Sequence, residues 1–294
     1  MVGDKNQLPP VGAGNVLADL IKSNLIGVVS LDKIFRQAMK SKIVSNAHRV
    51  VNGEMPVFDN SPDSDFFLLR ENSKYIASRK IVDLVTKRIP IGYGFDSVKD
   101  IQVLCPSRKG KVGTENINAL LQAKLNPPSY EKNEVRYKGY TLREGDKVMQ
   151  IKNNYQLEWE QRTDKGFLVD SGSGIFNGDM GIITKINNLT NYIEVKFDDD
   201  RYVTYDSKQA EELELAYAVT IHKSQGSEYP AVVMPLVSGA SMLMTRNLLY
   251  TGVTRAKRCV CIVGRKETFN AMVKNEDQHK RYSGLKWQLI NYYQ

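Results

Sequence analysis

Apolar residues in this chain recur with two different rhythms. Short runs rich in β-branched residues, Val28–Leu31, Ile101–Cys105, Ala231–Leu236 and Cys259–Val263, predict buried strands. Between them lie helical patterns. Ile43, Val44, Ala47, Val50 and Val51 share one face of Ser41–Gly53. Ile76, Ile81, Leu84 and Val85 do so over Lys74–Arg88, and Ile117, Leu120, Leu121 and Leu125 over Gly113–Leu125. Strands alternating with such helices predict an α/β domain built on a parallel sheet.

The rhythm shortens between Gly145 and Tyr205. GDKVMQIKNN, FNGDMGIITKINN, YIEVKFDDD and RYVTYD read as short strands. Asn177-Gly178 and the acidic Asp198–Asp200 read as the turns between them. The expectation is a small antiparallel module, an SH3-like barrel, inserted into the α/β domain. Leu157–Gly174, polar and containing Gly and Ser, reads as a mobile loop or a hairpin arm. Beyond Tyr205 the α/β pattern returns. A helix is predicted over Glu211–Lys223, then a strand, a helix over Thr245–Ala256, the Cys259 strand and a helix from Lys266. LKWQLINYY fits a closing helix or strand equally well.

At 294 residues, one large domain or two smaller ones are expected. Apolar residues at 41% and charged residues at 25% are ordinary for a globular chain with a core. No apolar run approaches the ~20 residues that span a bilayer, and the first residues lack a basic-then-apolar leader. The expected compartment is therefore the cytoplasm, with no membrane partner. Three cysteines give no disulfide framework and no zinc spacing; Cys259 and Cys261 read as small buried residues on one strand face. The balance of 41 Lys plus Arg against 33 Asp plus Glu gives +8, which fits a phosphate-rich partner.

Four segments concentrate chemistry. Gly3-Asp4-Lys5-Asn6-Gln7-Leu8-Pro9-Pro10 reads as the polar end of a strand, where α/β sheets bind ligands. A neutral amide such as Gln7 can contact a phosphate oxygen or a water without adding charge. Ile34-Phe35-Arg36-Gln37 offers an arginine fork of the kind that stabilises charge in phosphoryl transfer, although a lone Arg is more often a surface residue. Thr220-Ile221-His222-Lys223-Ser224-Gln225-Gly226-Ser227-Glu228-Tyr229 packs donors, a cation and a carboxylate around a glycine. Thr, His and Lys suit a nucleic-acid backbone, and Glu228 suits a ribose hydroxyl. Tyr250-Thr251-Gly252-Val253-Thr254-Arg255-Ala256-Lys257 brings a second candidate arginine. Histidines at 48, 222 and 279 have no ligand spacing, so no metal site is expected.

In this order the segments resemble motifs three to six of superfamily 1 DNA helicases, most closely the RecD/TraA type. GDKNQLPPVG resembles the third motif, with Gly3, Asp4 and Gln7 at the nucleotide and Gln7 as γ-phosphate sensor. IFRQ resembles the fourth, with Arg36 as an arginine finger. TIHKSQGSEY resembles the fifth, with Thr220, His222 and Lys223 on single-stranded DNA and Gly226 and Glu228 at the nucleotide. YTGVTRAK resembles the sixth, with Arg255 on the γ-phosphate. VLCPSRKGKVGTENIN resembles a further DNA-facing segment, through Arg108, Lys109, Thr114 and Asn118, and GDKVMQIKNN with FNGDMGII resembles the family's SH3-like insertion. The resemblance implies a RecA-like fold, ATP and Mg2+ in the complete enzyme, and single-stranded DNA as partner.

The sequence departs from the family in two respects: Leu157–Gly174 is longer than the family's usual connection, and the phosphate loop is missing. It contains no G-x-x-x-x-G-K-[ST] string and no matching Asp-Glu pair; Gly110-Lys111-Val112 has neither the earlier Gly nor the hydroxyl. The expectation is a segment of a longer protein, or the product of a split gene. It would hold a stub of the first RecA-like domain (1–27), the second (28–144 and 206–294) and the insertion (145–205). Such a chain is expected to be inactive in ATP hydrolysis without the missing N-terminal RecA-like domain. Three rival roles stay open: a non-catalytic DNA-binding or regulatory module, a helicase subunit of a nuclease complex, and a plain structural domain with chance motifs. Tyr155 and Tyr137 are candidates to stack on bases, or to pack the barrel.

Overall fold

The computed structural model of the chain describes every residue except 10, 11, 13, 31–39, 138, 164, 238–242, 276–282 and 293–294. The Arg36 segment therefore lies outside the described residues.

In chain order the elements are α1 (Val16–Ser23), α2 (Lys42–Val51), β1 (Phe66–Arg70) and α3 (Lys74–Asp83). A π-helical turn (Leu84–Arg88) leads to α4 (Ile89–Tyr93), β2 (Ile101–Cys105) and α5 (Thr114–Leu125). Then come β3 (Glu134–Tyr137), β4 (Tyr140–Arg143), β5 (Lys147–Gln150), β6 (Asn154–Arg162), β7 (Leu168–Ile175), β8 (Met180–Asn187), β9 (Tyr192–Phe197) and β10 (Arg201–Tyr205). A 3-10 turn (Gln209–Glu212) precedes β11 (Leu213–Leu215) and β12 (Ala218–Thr220), and another (Ile221–Ser224) precedes β13 (Tyr229–Leu236). The chain continues through α6 (Arg246–Val253), β14 (Ala256–Gly264), α7 (Lys266–Lys274) and α8 (Leu285–Tyr292). It divides into two compact units, Met1–Ala77 with Gln225–Gln294, and Ser78–Ser224.

In the first unit β14 lies between β1 and β13, parallel to both, with Phe66 opposite Val260 and Val232 opposite the same residue. Cys259–Gly264 and Ala231–Leu236 are buried along their whole length, as strands covered on both faces must be. Two helix starts are capped by side chains. Ser41 Oγ accepts from Val44 N–H (3.3 Å) at α2, and Thr245 Oγ1 from Leu248 N–H (3.3 Å) at α6. Buried Val50, Leu248, Leu249, Phe66 and Phe269 fill this core. Cys259 and Cys261 are buried on one strand face, as their spacing predicted, with sulfurs 3.7 Å apart.

The second unit pairs β2 with β12 in parallel and carries an antiparallel sheet in the order β11-β5-β8-β9-β10-β6-β7. Asp146 joins its parts. It is fully buried and accepts from Asn126 Nδ2 (2.7 Å), Gln122 Nε2 (2.6 Å), Arg143 N–H (2.7 Å) and Tyr217 O–H (3.0 Å). Four donors satisfy the carboxylate, while burial pushes its pKa up. Lys147 is buried beside it in sequence and donates to Val98 O (2.7 Å); burial pulls its pKa down to about 8.

Three expectations change. The residues of Val28–Leu31 that are described, 28–30, form no strand and are exposed: a β-branched run without a partner strand has no ladder to join. The first four residues form no strand either. Glu211–Lys223 is not a helix. Its apolar residues follow a two-residue period through Leu213 and Leu215, which pair β11 with β5, and Ala218–Thr220 pairs with β2. Leu157–Gly174 resolves into the arm formed by β6 and β7, and the closing segment is helical.

The arm depends on one glycine. A Cβ on Gly172 would stand 2.5 Å from Trp159 Cζ2, so the indole occupies the space beside the glycine, with the Arg201 guanidinium 5.8 Å from the centre of its ring. Gly172→Ala is expected to displace the indole, lowering the thermal midpoint and shifting Trp159 fluorescence; unchanged emission would refute that contact.

Lys147 predicts a pH signature. Its folded pKa of about 8 lies below its ordinary 10.5, so between those values the unfolded chain binds more protons and stability rises with pH. Urea unfolding from pH 8 to 9.5 should show a rising contribution that Lys147→Met lacks. Parallel curves for the two proteins would contradict the assignment.

Candidate functional site

The segment Gly3–Leu8 has no regular structure, so its polar groups need side-chain partners. They come from α6 and from Gln225. Leu8 N–H donates to Thr251 Oγ1 (2.8 Å), and Leu8 O accepts from Gln225 Nε2 (2.6 Å). Gln7 O accepts from Asn247 Nδ2 (3.3 Å). Asp4 Oδ2 accepts from Tyr250 O–H (2.8 Å) and from Gln7 Nε2 (3.3 Å), while its Oδ1 accepts from Asn6 N–H (2.9 Å). Burial, then the bond to Asp4, pushes the Tyr250 phenol well up, so it donates at neutral pH.

Arg255 stands one residue past the C-cap of α6 and is 7% exposed. Its Nε donates to Thr251 O (3.2 Å), Nη1 to Ser227 O (3.1 Å) and Nη2 to Thr254 Oγ1 (3.4 Å). Among the described residues it makes no ion pair. A buried guanidinium held by neutral oxygens keeps its full charge available to an anion. Gly226 is exposed at φ +86° with nothing within 4 Å of a built Cβ, so it shapes the backbone. Exposed Glu228 is 3.1 Å from Lys257 Nζ. Gly3, Asp4, Gln7, Gly226, Glu228 and Arg255 thus all fall in the first unit, and Thr251 touches both Leu8 and Arg255.

The nucleic-acid candidates fall in the second unit. Thr220 ends β12 and its Oγ1 accepts from Lys223 N–H (3.4 Å), closing the turn that carries His222 and Lys223. His222 is half-buried, and burial lowers its pKa, which keeps it neutral at pH 7. Arg108 and Lys109 are exposed on the loop after β2. That loop is pinned where Thr114 N–H donates to Ser107 O (3.2 Å) and Glu115 N–H to Arg108 O (3.1 Å). Thr114 and Asn118 are buried. Asn118 donates to Leu215 O and Ala218 O (both 2.9 Å) and accepts from Ala218 N–H (2.7 Å), so its amide is spent tying α5 to β12. Tyr155 is 69% exposed and meets Phe176 edge-on at 5.7 Å; Tyr137 is half-buried in the β3–β4 hairpin.

Sequence reasoning left Tyr250, Thr251, Asn247 and Gln225 without roles, and Glu214 unmentioned. Their partners lie up to 246 positions away, and no local pattern signals such a pairing.

Comparison with known proteins gives a consistent assignment. Residues 117–197 match the profile of the ATP-dependent RecD-like DNA helicase SH3 domain, 215–263 that of the UvrD-like helicase C-terminal domain, and 1–69 that of an AAA domain. The chain is 32% identical over 257 residues to the ATP-dependent RecD2 DNA helicase of Deinococcus radiodurans, covering 87% of this chain and 31% of that protein. It is 26% identical to the RecBCD enzyme subunit RecD of Mycolicibacterium smegmatis, covering 98% of this chain and 49% of that one. The chain thus spans a third to a half of these relatives' length. Among solved structures, a Bacteroides Pif1 helicase in complex with ADP-AlF3 and ssDNA aligns over 99% of this chain and 65% of its own, with TM-score 0.50 and 19% identity. That likeness carries the fold: a RecA-like parallel sheet with an SH3-like β module.

Removing the Thr251 hydroxyl tests the anchoring of Gly3–Leu8. Thr251→Val should speed amide hydrogen exchange at Leu8 selectively, at a stability cost of ~1 kcal/mol. Unaltered exchange at Leu8 would show that the segment is held by other means.

Proposed function

As a member of the RecD-like DNA helicases of superfamily 1, this chain forms, we propose, the half of an ATP-driven single-stranded DNA translocase that senses the γ-phosphate and grips the strand. One observation carries the reading: Arg255 is buried, held by three neutral oxygens and paired with no carboxylate among the described residues. Such a charge is stabilised by a phosphate that reaches it. Gln7 would report on the γ-phosphate through the segment that α6 holds, and Arg36 would act as a second finger by its motif. Gly226 would give the nucleotide close access to backbone, with Glu228 toward the ribose.

ATP with Mg2+ fits this donor set only in part. The arginines and Gln7 suit phosphate oxygens, but no metal-holding cluster of acidic residues exists among the described residues, and the sequence has no phosphate loop. The metal would be held by a further RecA-like domain, where it offsets charge on the phosphates. This chain alone is then inactive in ATP hydrolysis. Thr220, His222, Lys223, Arg108 and Lys109 would meet the DNA backbone. Association with nuclease subunits follows from the RecD relatives by analogy. The work would be done in the cytoplasm; no helix among the described residues is long and apolar enough to cross a membrane.

Two measurements test this. Anisotropy of a labelled ~15-nucleotide single strand should show binding that weakens steeply with salt and is lost in His222→Ala plus Lys223→Ala. In the full-length enzyme, Arg255→Ala should lower ATP turnover ~10³–10⁵-fold while leaving DNA binding intact. Normal turnover by that variant would end the finger assignment, and salt-independent binding would end the backbone-contact assignment.

A further inference from the structure

Three stretches of the second unit converge on one carboxylate. Glu214 lies on β11 between buried Leu213 and Leu215, so strand alternation turns it away from the core. Its Oε1 accepts from Arg108 Nη2 at 2.8 Å, on the loop after β2. Its Oε2 lies 3.3 Å from Lys223 Nζ, on the turn after β12. A second carboxylate, Glu115, stands 3.9 Å from Arg108 Nε.

We propose that Glu214 occupies the seat of a DNA phosphodiester between Arg108 and Lys223, and so competes with the strand for both cations. This rests on the DNA-binding reading above. A phosphodiester presents two non-bridging oxygens, and a carboxylate bridging two cations presents the same pair of acceptors at similar spacing. All three side chains keep access to water, with exposures of 54% for Arg108, 25% for Lys223 and 24% for Glu214. Arg108 is open to water, and an ion pair with so exposed a partner is weak, so an arriving phosphate displaces the carboxylate from it readily; the Lys223 pair is half-buried and yields after it. The device holds the cations ordered when no strand is present and weakens the grip when one is. A motor that must release its track at every step needs such a limit on affinity.

Anisotropy on the whole chain tests this with the same ~15-nucleotide strand. Glu214→Gln should bind roughly 3- to 10-fold more tightly at low salt, from the release of one exposed and one half-buried ion pair. Its salt dependence should steepen, by up to ~0.7 in log–log slope for each phosphate newly contacted. The gain should vanish in an Arg108→Ala plus Lys223→Ala background, because the coupling runs through those two cations. Glu158→Gln on the exposed β6 arm removes the same charge elsewhere and should change little. Should Glu214→Gln not fold, Glu214→Asp is one methylene too short to span both cations and should tighten binding in the same direction. Unchanged or weaker binding by Glu214→Gln, an equal gain from Glu158→Gln, or a gain that survives loss of both cations overturns the proposal while the DNA-binding reading stands. Binding by no form of the chain, wild type included, overturns both.

Discussion

Backbone polar groups that no helix or strand satisfies must find partners elsewhere, and in the first unit this need organises the site. Gly3–Leu8 brings N–H and C=O groups with no ladder to join. Asn247 and Thr251, on one short helix, and Gln225 supply the partners, while Tyr250 of the same helix donates to the Asp4 carboxylate. The segment with the candidate phosphate sensor is thereby fixed to the helix that leads directly into Arg255. Thr251 is the shared element: its hydroxyl holds Leu8 and its carbonyl holds the guanidinium.

The electrostatics follow two patterns. Arg255 is buried and surrounded by neutral oxygens, which leaves its charge for an outside anion. Arg108 and Lys223 are more exposed and already share Glu214, so an outside anion must compete. The first arrangement suits a ligand that must be sensed with high discrimination. The second suits one held repeatedly and let go. Asp146 illustrates a third case, in which four donors satisfy a buried carboxylate completely and its role is to tie α5 and β4 to the neighbouring chain.

Much of the fold is legible in the chain. Ala231–Leu236 and Cys259–Val263 are apolar without alternation because both faces are covered, and Ile101–Cys105 is fully buried and apolar apart from Gln102, whose amide donates to Ala216 O and Tyr217 O; each is a strand. The SH3-like module shows itself through Asn177-Gly178 and Asp198–Asp200, which turn where expected because Gly178 and Asp200 adopt positive φ. Glu211–Lys223 misleads because Glu-Leu-Glu-Leu-Ala reads equally as a strong helix former. Pairing with β5 and β2 overrides that propensity. Val28–Ser30 misleads in the opposite sense, since a strand-like run needs a neighbour to become one.

The sequence by itself determined the residue types, their order and their local periods: the motif segments with Gln7, His222, Lys223 and Arg255, the parallel strands, and the turns of the antiparallel module. These are near-neighbour properties, set by side-chain volume, backbone freedom and spacing. Tertiary structure alone decided which groups meet. That Tyr250 donates to Asp4 across 246 positions, that Asn118 spends its amide on the strand beside it, and that one carboxylate stands between Arg108 and Lys223 all depend on chain closure over long loops. Such pairings are fixed by the packing of whole elements, and no local stretch of residues encodes them.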